Sequence, residues 1–116
     1  MCSGKVYFDL LEAREKLKNN KVFLLRIEQL YPFPVKTLAK ELKKFKNADF
    51  YWCQEEPQNM GAWNSARNYI DWTLNYIGLN SKEVRYIGRK PAASPATGYI
   101  KRHIDQQKKL VEKVFR

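Results

Sequence analysis

Two adjacent acids in the middle of the chain are the first candidates for chemistry. Glu55 and Glu56 follow a run of four apolar residues, 50–53, and precede Pro57. The run predicts a strand buried on both faces, and proline ends it because proline has no N–H for a sheet ladder. Ligand sites in open α/β sheets lie beyond the carboxyl ends of the strands, which is where these acids fall.

Their spacing nevertheless argues against catalysis. Adjacent side chains on an extended segment point in opposite directions, so Glu55 and Glu56 are poorly placed to act as an acid and base pair. We favour a structural role, in which one acid accepts N–H groups of the loop or of the next helix. The other then faces solvent or pairs with an arginine such as Arg67 or Arg89. A small independent enzyme that uses both acids is a less favoured alternative.

Other catalytic groups are scarce. His103 is the only histidine, and its surroundings predict a helix-surface or half-buried position rather than a base. Cys53 lies inside the apolar run, where burial raises the pKa of a thiol and makes it inert. Together with the distant Cys2, it forms neither a disulfide framework nor a metal-ligand set. We predict no catalytic and no metal-binding residues, and two free thiols in a reducing compartment.

A set of basic and small residues predicts an anion pocket where a strand ends and a helix begins. Its members are Arg89, Lys90, Thr97, Gly98, Lys101 and Arg102. Helix N-termini and guanidinium groups bind phosphate. Basic residues in the first turn of a helix oppose its dipole, so either an acidic partner or ligand offsets them or they are simply exposed.

The elements that must position these residues alternate along the chain. Apolar runs predict strands at 22–27, 50–53 and 84–87, and helical periodicity predicts helices at about 3–18, 35–45, 63–77 and 99–115. Ser3 is the predicted cap of the first helix, Gly78 ends the third, and Ile100 and Ile104 are buried in the last. This order predicts a single three-layer α/β domain over residues 1–116, with a mainly parallel sheet flanked by helices.

Composition excludes several classes of protein. With 44% apolar and 14% aromatic residues, the chain is too rich in core formers to be disordered, and no apolar run reaches the roughly 20 residues of a membrane helix. Its start does not read as a secretory signal. The net charge of +10 permits nucleic-acid binding, but many lysines fall on predicted solvent faces of helices, so nucleic acid is the less favoured partner.

Four stretches resemble one known family in order and spacing. They are residues 2–11, 26–34, 52–63 and 88–99, with Gln106 and Gln107 beyond them. They are similar to the C-terminal domain of the thiamine-diphosphate-dependent, decarboxylating first component of the 2-oxoglutarate dehydrogenase complex. Within 52–63, the motif residues are Glu55, Glu56, Pro57, Asn59, Gly61 and Trp63.

The resemblance implies a transketolase C-terminal-like domain with a structural or regulatory role, inactive on its own. The implied enzyme belongs to the tricarboxylic acid cycle, decarboxylates 2-oxoglutarate and passes the succinyl group to a lipoyl arm. Its thiamine diphosphate, magnesium and catalytic residues lie in upstream domains. The implied partners are those domains, a second subunit of a homodimer and the lipoyl succinyltransferase, in the bacterial cytoplasm or the mitochondrial matrix.

The resemblance also implies that the first strand, which ends at Cys2, is largely missing. We therefore expect a fragment with an open sheet edge. Some members of the family bind acetyl-CoA or a nucleotide as an effector, and the residues to test for such binding are Arg89, Lys90, Ser94 and Lys101. The alternative is a free-standing basic α/β module that binds nucleic acid or another polyanion.

Overall fold

The computed structural model describes residues 1–94, 96 and 98–116. Within them, the four helices are α1 (Val6–Lys16), α2 (Val35–Leu42), α3 (Trp63–Tyr76) and α4 (Ile100–Val114). The two strands are β1 (Phe50–Pro57) and β2 (Val84–Arg89). The helices and the last two strands lie where the sequence predicts them, within a few residues at each end.

β1 and β2 form a parallel sheet whose register runs from Phe50 opposite Val84 to Cys53 opposite Ile87. Alternate residues point to opposite faces of the sheet. Phe50 and Trp52 therefore pack on one face, whereas Cys53 and Ile87 pack on the other. Both faces of the first half of β1 are covered, which is why residues 50–53 are apolar without interruption.

Helices cover the sheet on both sides and give the predicted three-layer α/β arrangement. Residues of α2 and α3 pack on the first face, where the buried residues are Ile27, Phe33, Leu38, Leu42, Phe50, Trp52, Trp63, Ala66, Ile70, Leu74 and Val84. Residues of α1 and α4 pack on the second, where they are Cys2, Val6, Leu10, Cys53, Ile87 and Leu110. The larger core therefore lies on the side of α2 and α3.

The predicted strand at 22–27 is wrong. Among the described residues, this segment has a single β-bridge, which joins Arg26 to Cys2, and Cys2 forms a second bridge to Cys53. Both bridges are parallel, so Met1 and Cys2 lie between the segment and β1. A partner of two residues cannot support a longer ladder.

The helix ends show which local signals hold. Gly78 follows α3 with a φ of 87°, and this left-handed residue confirms the predicted C-terminal cap. Ser3 is not the cap of α1, because the helix begins at Val6 after Lys5, and Lys5 makes no side-chain cap. At the start of α1, a backbone group acts as an acceptor instead: Tyr7 N–H donates to the Gly4 carbonyl.

The predicted burial of Ile100 and Ile104 is also wrong. They are 81% and 59% exposed, because the half-buried and buried residues of α4 begin only at Gln106. The sheet and α1 thus reach the later turns of α4 and leave the first two turns in solvent. None of the helices in the described part of the chain is long and apolar enough to cross a membrane.

A candidate anion site at the carboxyl end of the sheet

The turn after β1 is organised by the buried amide of Gln54, which is 3% exposed. Its Oε1 accepts hydrogen bonds from the Trp52 indole N–H and the Trp63 backbone N–H, both at 3.0 Å. Its Nε2 donates to the carbonyls of Pro57 and Met60 at 3.0 and 2.7 Å. One side chain thus joins the end of β1, the turn and the start of α3. Sequence reasoning misses it, although a polar residue directly after an apolar run is a usable signal.

Glu55 belongs to a cluster that links β1 to α1 and α4. Lys5 Nζ lies 3.2 Å from Glu55 Oε1 and 3.7 Å from Asp9 Oδ2. Gln107 Nε2 donates to the same two oxygens at 3.1 and 2.8 Å. The hydrogen bond and charge of Glu55, with a smaller effect of Asp9, raise the pKa of Lys5 above its ordinary value. Glu55 Oε1 therefore helps to hold three elements together.

The other acid of the pair faces solvent. Glu56 is exposed, and its backbone carbonyl accepts a hydrogen bond from the Tyr86 hydroxyl at 3.1 Å. Arg67, considered as a partner for these acids, lies 3.9 Å from Asp71 and over the ring of Trp63. The cation that the structure places beside Glu55 is Lys5, which the sequence reasoning did not consider.

Tyr86 ties β2 to the turn. Its hydroxyl lies 2.8 Å from the Arg89 carbonyl as well as near Glu56, and burial raises the pKa of Tyr86 to about 12. Gly88 passes directly beneath this hydroxyl. A Cβ at position 88 would clash with the Tyr86 oxygen and lie 2.9 Å from the Gln54 carbonyl. Only glycine fits at this end of β2.

Asn59 fastens the following loop to the turn. Its Nδ2 donates to the Ala92 carbonyl at 2.9 Å, and its Oδ1 accepts the Ala92 N–H at 3.0 Å. Gly61 allows the turn to close, with a φ of 67° and its missing Cβ only 3.1 Å from Gln54 Oε1. The motif residues thus set the position of the loop that follows Arg89.

This loop and α4 enclose a cleft of about 840 Å³, which we name the basic cleft. Its described walls carry six basic side chains and one acidic side chain. The basic residues are Arg89, Lys90, Arg102, Lys109, Lys113 and Arg116, and the acidic residue is Glu112. A concave surface with this excess of one sign of charge attracts anions and concentrates them.

Three of the four residues predicted for effector binding line this cleft, and one does not. Arg89, Lys90 and Ser94 line it, whereas Lys101 does not. Of the remaining pocket residues, Gly98 lies on the wall and Thr97 lies outside the described residues. Lys101 does not line the cleft because consecutive residues of a helix point in different directions, and it is the next residue, Arg102, that points toward the cleft.

That neighbour, Arg102, begins a row along one face of α4. The row continues with Gln106, Lys109 and Lys113, all on the cleft wall. Steps of four, three and four residues place side chains on one helical face. In the sequence, Arg102 is notable only for its place in the first turn of α4, whereas the repeated spacing is the signal that identifies the whole row.

Gln106 contributes an unusual polar group to the same wall. Its Oε1 is buried and has no hydrogen-bond partner among residues 1–94, 96 and 98–116. A buried amide oxygen without a donor is unfavourable by about 1–3 kcal/mol. A ligand that carries a hydrogen-bond donor beside its anionic group would satisfy this oxygen.

The remaining reactive residues lie apart from the cleft. Cys2 and Cys53 are free and buried, and burial raises the pKa of Cys53 to about 12, the direction expected for a thiol inside an apolar strand. His103 is exposed on α4. Across the described part of the chain, no three His, Cys, Asp or Glu side chains come together as metal ligands would.

Comparisons with known proteins give one consistent result. Residues 1–115 match the family described as 2-oxoglutarate dehydrogenase C-terminal. Over 112 residues the chain is 53% identical to proteins named 2-oxoglutarate dehydrogenase E1 component from Brucella anthropi, Brucella ovis and Brucella canis. The match covers 97% of this chain but 11% of each of those proteins, so the chain spans about a tenth of their length.

Proposed function

The chain belongs to the 2-oxoglutarate dehydrogenase C-terminal family, and on that premise we propose that it is a non-catalytic regulatory domain whose basic cleft binds an anionic effector. The observation that carries this proposal is the charge of the cleft, with six basic side chains against one acidic one. The loop that lines the cleft is also held in place by the chain itself, because Asn59 bonds to Ala92 and Tyr86 bonds to Arg89. A preorganised site loses less entropy on binding.

The effector we propose is acetyl-CoA or a nucleotide. Each carries phosphates for the guanidinium groups of Arg89 and Arg102, and planar guanidinium groups bind phosphate through paired hydrogen bonds. Each also carries an amide or amine donor that suits the buried oxygen of Gln106. A bare phosphate would satisfy the charge of the cleft but not that oxygen.

Catalysis belongs elsewhere in this proposal. Thiamine diphosphate requires magnesium, which binds oxygen ligands from carboxylates in octahedral geometry. The basic cleft offers one carboxylate, Glu112, and the acids at the turn are held by Lys5 and Gln107. The described residues therefore do not fit the magnesium-bound cofactor, and no step of the reaction is assigned to them.

For the whole enzyme we propose the reaction of the E1 component, decarboxylation of 2-oxoglutarate and transfer of the succinyl group to a lipoyl arm. In that setting the chain contacts upstream domains and a second subunit, and the enzyme works with the lipoyl succinyltransferase in the bacterial cytoplasm or the mitochondrial matrix. The name of the relatives supports this reaction, and the fold supports a packing role.

Calorimetric titration of the chain with acetyl-CoA, ADP and inorganic phosphate tests the cleft. We expect Arg102→Ala to weaken acetyl-CoA binding at least tenfold, with Arg89→Ala showing a similar loss. Lys101→Ala is the matched control, because it removes an adjacent positive charge that does not line the cleft. Equal heats for Arg102→Ala, Lys101→Ala and the unaltered chain would reject the proposed site.

Binding of nucleic acid is the second candidate, favoured by the same excess of basic residues. It predicts a shift of labelled oligonucleotide in a gel that weakens steeply with salt, since phosphate contacts release counterions. It also predicts that oligonucleotide competes with acetyl-CoA. A gel shift abolished by Arg102→Ala but not by Lys101→Ala would favour it over a small effector.

A further inference from the structure

The two cysteines are neighbours in the fold, although they are far apart in the sequence. Cys2 and Cys53 are partners in a parallel β-bridge. Paired residues of adjacent strands project their side chains to the same face of a sheet, and both cysteines belong to the core on the side of α1 and α4. The two thiols therefore lie side by side beneath these helices.

The surroundings of this thiol pair are apolar. Cys2 is 1% exposed and Cys53 is 3% exposed, and both are free thiols. The other buried residues of this core are Val6, Leu10, Ile87 and Leu110. Within residues 1–94, 96 and 98–116, no third thiol, imidazole or carboxylate joins the pair as a metal ligand would. The pair thus offers a guest two sulfur atoms in an apolar setting.

The spacing of the strands decides what can join the two sulfur atoms. Neighbouring strands lie about 4.8 Å apart, whereas the Cβ atoms of a disulfide lie about 3.8 Å apart. A disulfide would therefore draw the strands together by about 1 Å. Two thiolates that hold one metal ion in a line, at about 2.3 Å for each bond, lie about 4.6 Å apart. That separation matches the strand spacing, so an ion fits between the thiols without a change in the sheet.

Charge and ligand number decide which ion suits the pair. Two thiolates carry two negative charges, and a buried charge without compensation is unfavourable. A monovalent ion leaves one negative charge in the core, whereas a divalent ion gives a neutral complex. Zinc takes four ligands in structural sites, and the described part of the chain supplies two at this place. Hg²⁺ is a soft divalent ion that binds two thiolates in a line, and soft ions prefer sulfur ligands.

We propose that Cys2 and Cys53 form a two-coordinate thiolate site for a soft divalent cation such as Hg²⁺. The ion forms one bond to each sulfur, and the two S–H protons pass to solvent, so the step requires no oxidant. The ion reaches the thiols during local opening of the core. Because it links residues that are distant in sequence, the bound ion restricts the unfolded chain and stabilises the fold. This inference rests on the thiol pair alone and not on the proposed function.

Native mass spectrometry of the chain with Hg²⁺, in competition with the monothiol β-mercaptoethanol, tests the site. We expect one ion per chain and no ion after the same treatment with Zn²⁺. The concentration of monothiol that removes half of the Hg²⁺ should fall at least tenfold in Cys2→Ala and in Cys53→Ala, because one sulfur then replaces two linked ones. The two variants are matched controls for each other, since each keeps one thiol.

Two further measurements keep the test independent of how well the variants fold. X-ray absorption of the unaltered chain with Hg²⁺ should show two sulfur neighbours at about 2.3 Å. Thermal unfolding should show that Hg²⁺ raises the melting temperature of the unaltered chain and of neither variant. One sulfur neighbour, an ion shared between two chains, equal retention of Hg²⁺ by a variant and the unaltered chain, or an unchanged melting temperature would each overturn the proposal.

Discussion

The turn after β1 and the basic cleft lie side by side but differ in how their polar groups are satisfied. In the turn, Gln54 Oε1 and Glu55 Oε1 have partners within the chain, through hydrogen bonds and an ion pair. The cleft is lined by six basic side chains and one acidic side chain, and the buried oxygen of Gln106 has no described partner. Paired groups stabilise a fold, whereas a concave surface with an excess of positive charge and an unsatisfied oxygen suits a ligand. Of the two acids that look chemical in the sequence, Glu55 therefore belongs to the architecture and Glu56 faces solvent.

Replacing Gln54 should give the largest effect. Gln54→Leu leaves the Trp52 indole N–H, the Trp63 N–H and two carbonyls without their buried partner, and each such loss is unfavourable by about 1–3 kcal/mol. We expect the free energy of unfolding in urea to fall by about 3 kcal/mol or more. Gln58→Leu, a matched change in the same turn at a half-buried residue, should change it by about 0.5 kcal/mol or less. Similar losses for both would show that Gln54 does not organise the turn.

The second largest effect should come from alkaline pH, which lowers the free energy of unfolding through the buried thiol of Cys53 in β1. The pKa of Cys53 rises from about 9 to about 12 on folding. Below pH 9 both states keep the proton, and between pH 9 and 12 the unfolded chain loses it while the folded chain does not. Stability is therefore complete below pH 9 and falls as the pH rises, on the order of 1 kcal/mol per pH unit. Thermal melts of Cys53→Ala should show a shallower decline, and an identical slope would contradict burial of the thiol.

Gly88→Ala tests the packing that joins the two regions. The new methyl group would displace the Tyr86 hydroxyl and crowd the Gln54 carbonyl, so we expect a loss of about 2 kcal/mol. Gly98→Ala is the matched control, because no atom lies within 4 Å of its added Cβ. Urea unfolding of the two variants measures the difference, and equal stability would show that β2 can shift at little expense.

Glu55→Gln should have the smallest effect of the four. The ion pair with Lys5 is partly exposed, and surface pairs are worth about 0–1 kcal/mol. We expect the unfolding free energy to fall by about 0.5 kcal/mol and acetyl-CoA binding to stay unchanged. Glu56→Gln should alter neither quantity. Loss of ligand binding in Glu55→Gln would move the site from the cleft to the turn.

The sequence predicts the parts of this molecule that depend on local pattern. The apolar run of β1 and the periodicity of α3 are sufficient because most of the positions that each pattern marks as apolar are buried in the structure. Gly78 is predictable for the same reason, since its backbone conformation is set by the helix it ends.

The errors below arise because a sequence pattern does not show which residues from distant parts of the chain pack beside a segment. Residues 22–27 have the composition of a strand, but within the described residues their only β-bridge is the one from Arg26 to Cys2. Ile100 and Ile104 have helical spacing, yet the sheet ends before it reaches them. In the candidate site, Arg102 and Lys101 are equivalent in sequence, and only the rotation of α4 about its axis separates them.

The most direct test of the contrast between the two regions is a titration of isotope-labelled chain with acetyl-CoA, followed by amide NMR shifts. We expect shifts that saturate at Arg89, Arg102, Gln106 and Lys109, while the amides of Glu55 and Glu56 stay in place. Saturable shifts centred on Glu55 and Glu56 with a silent cleft would contradict the account.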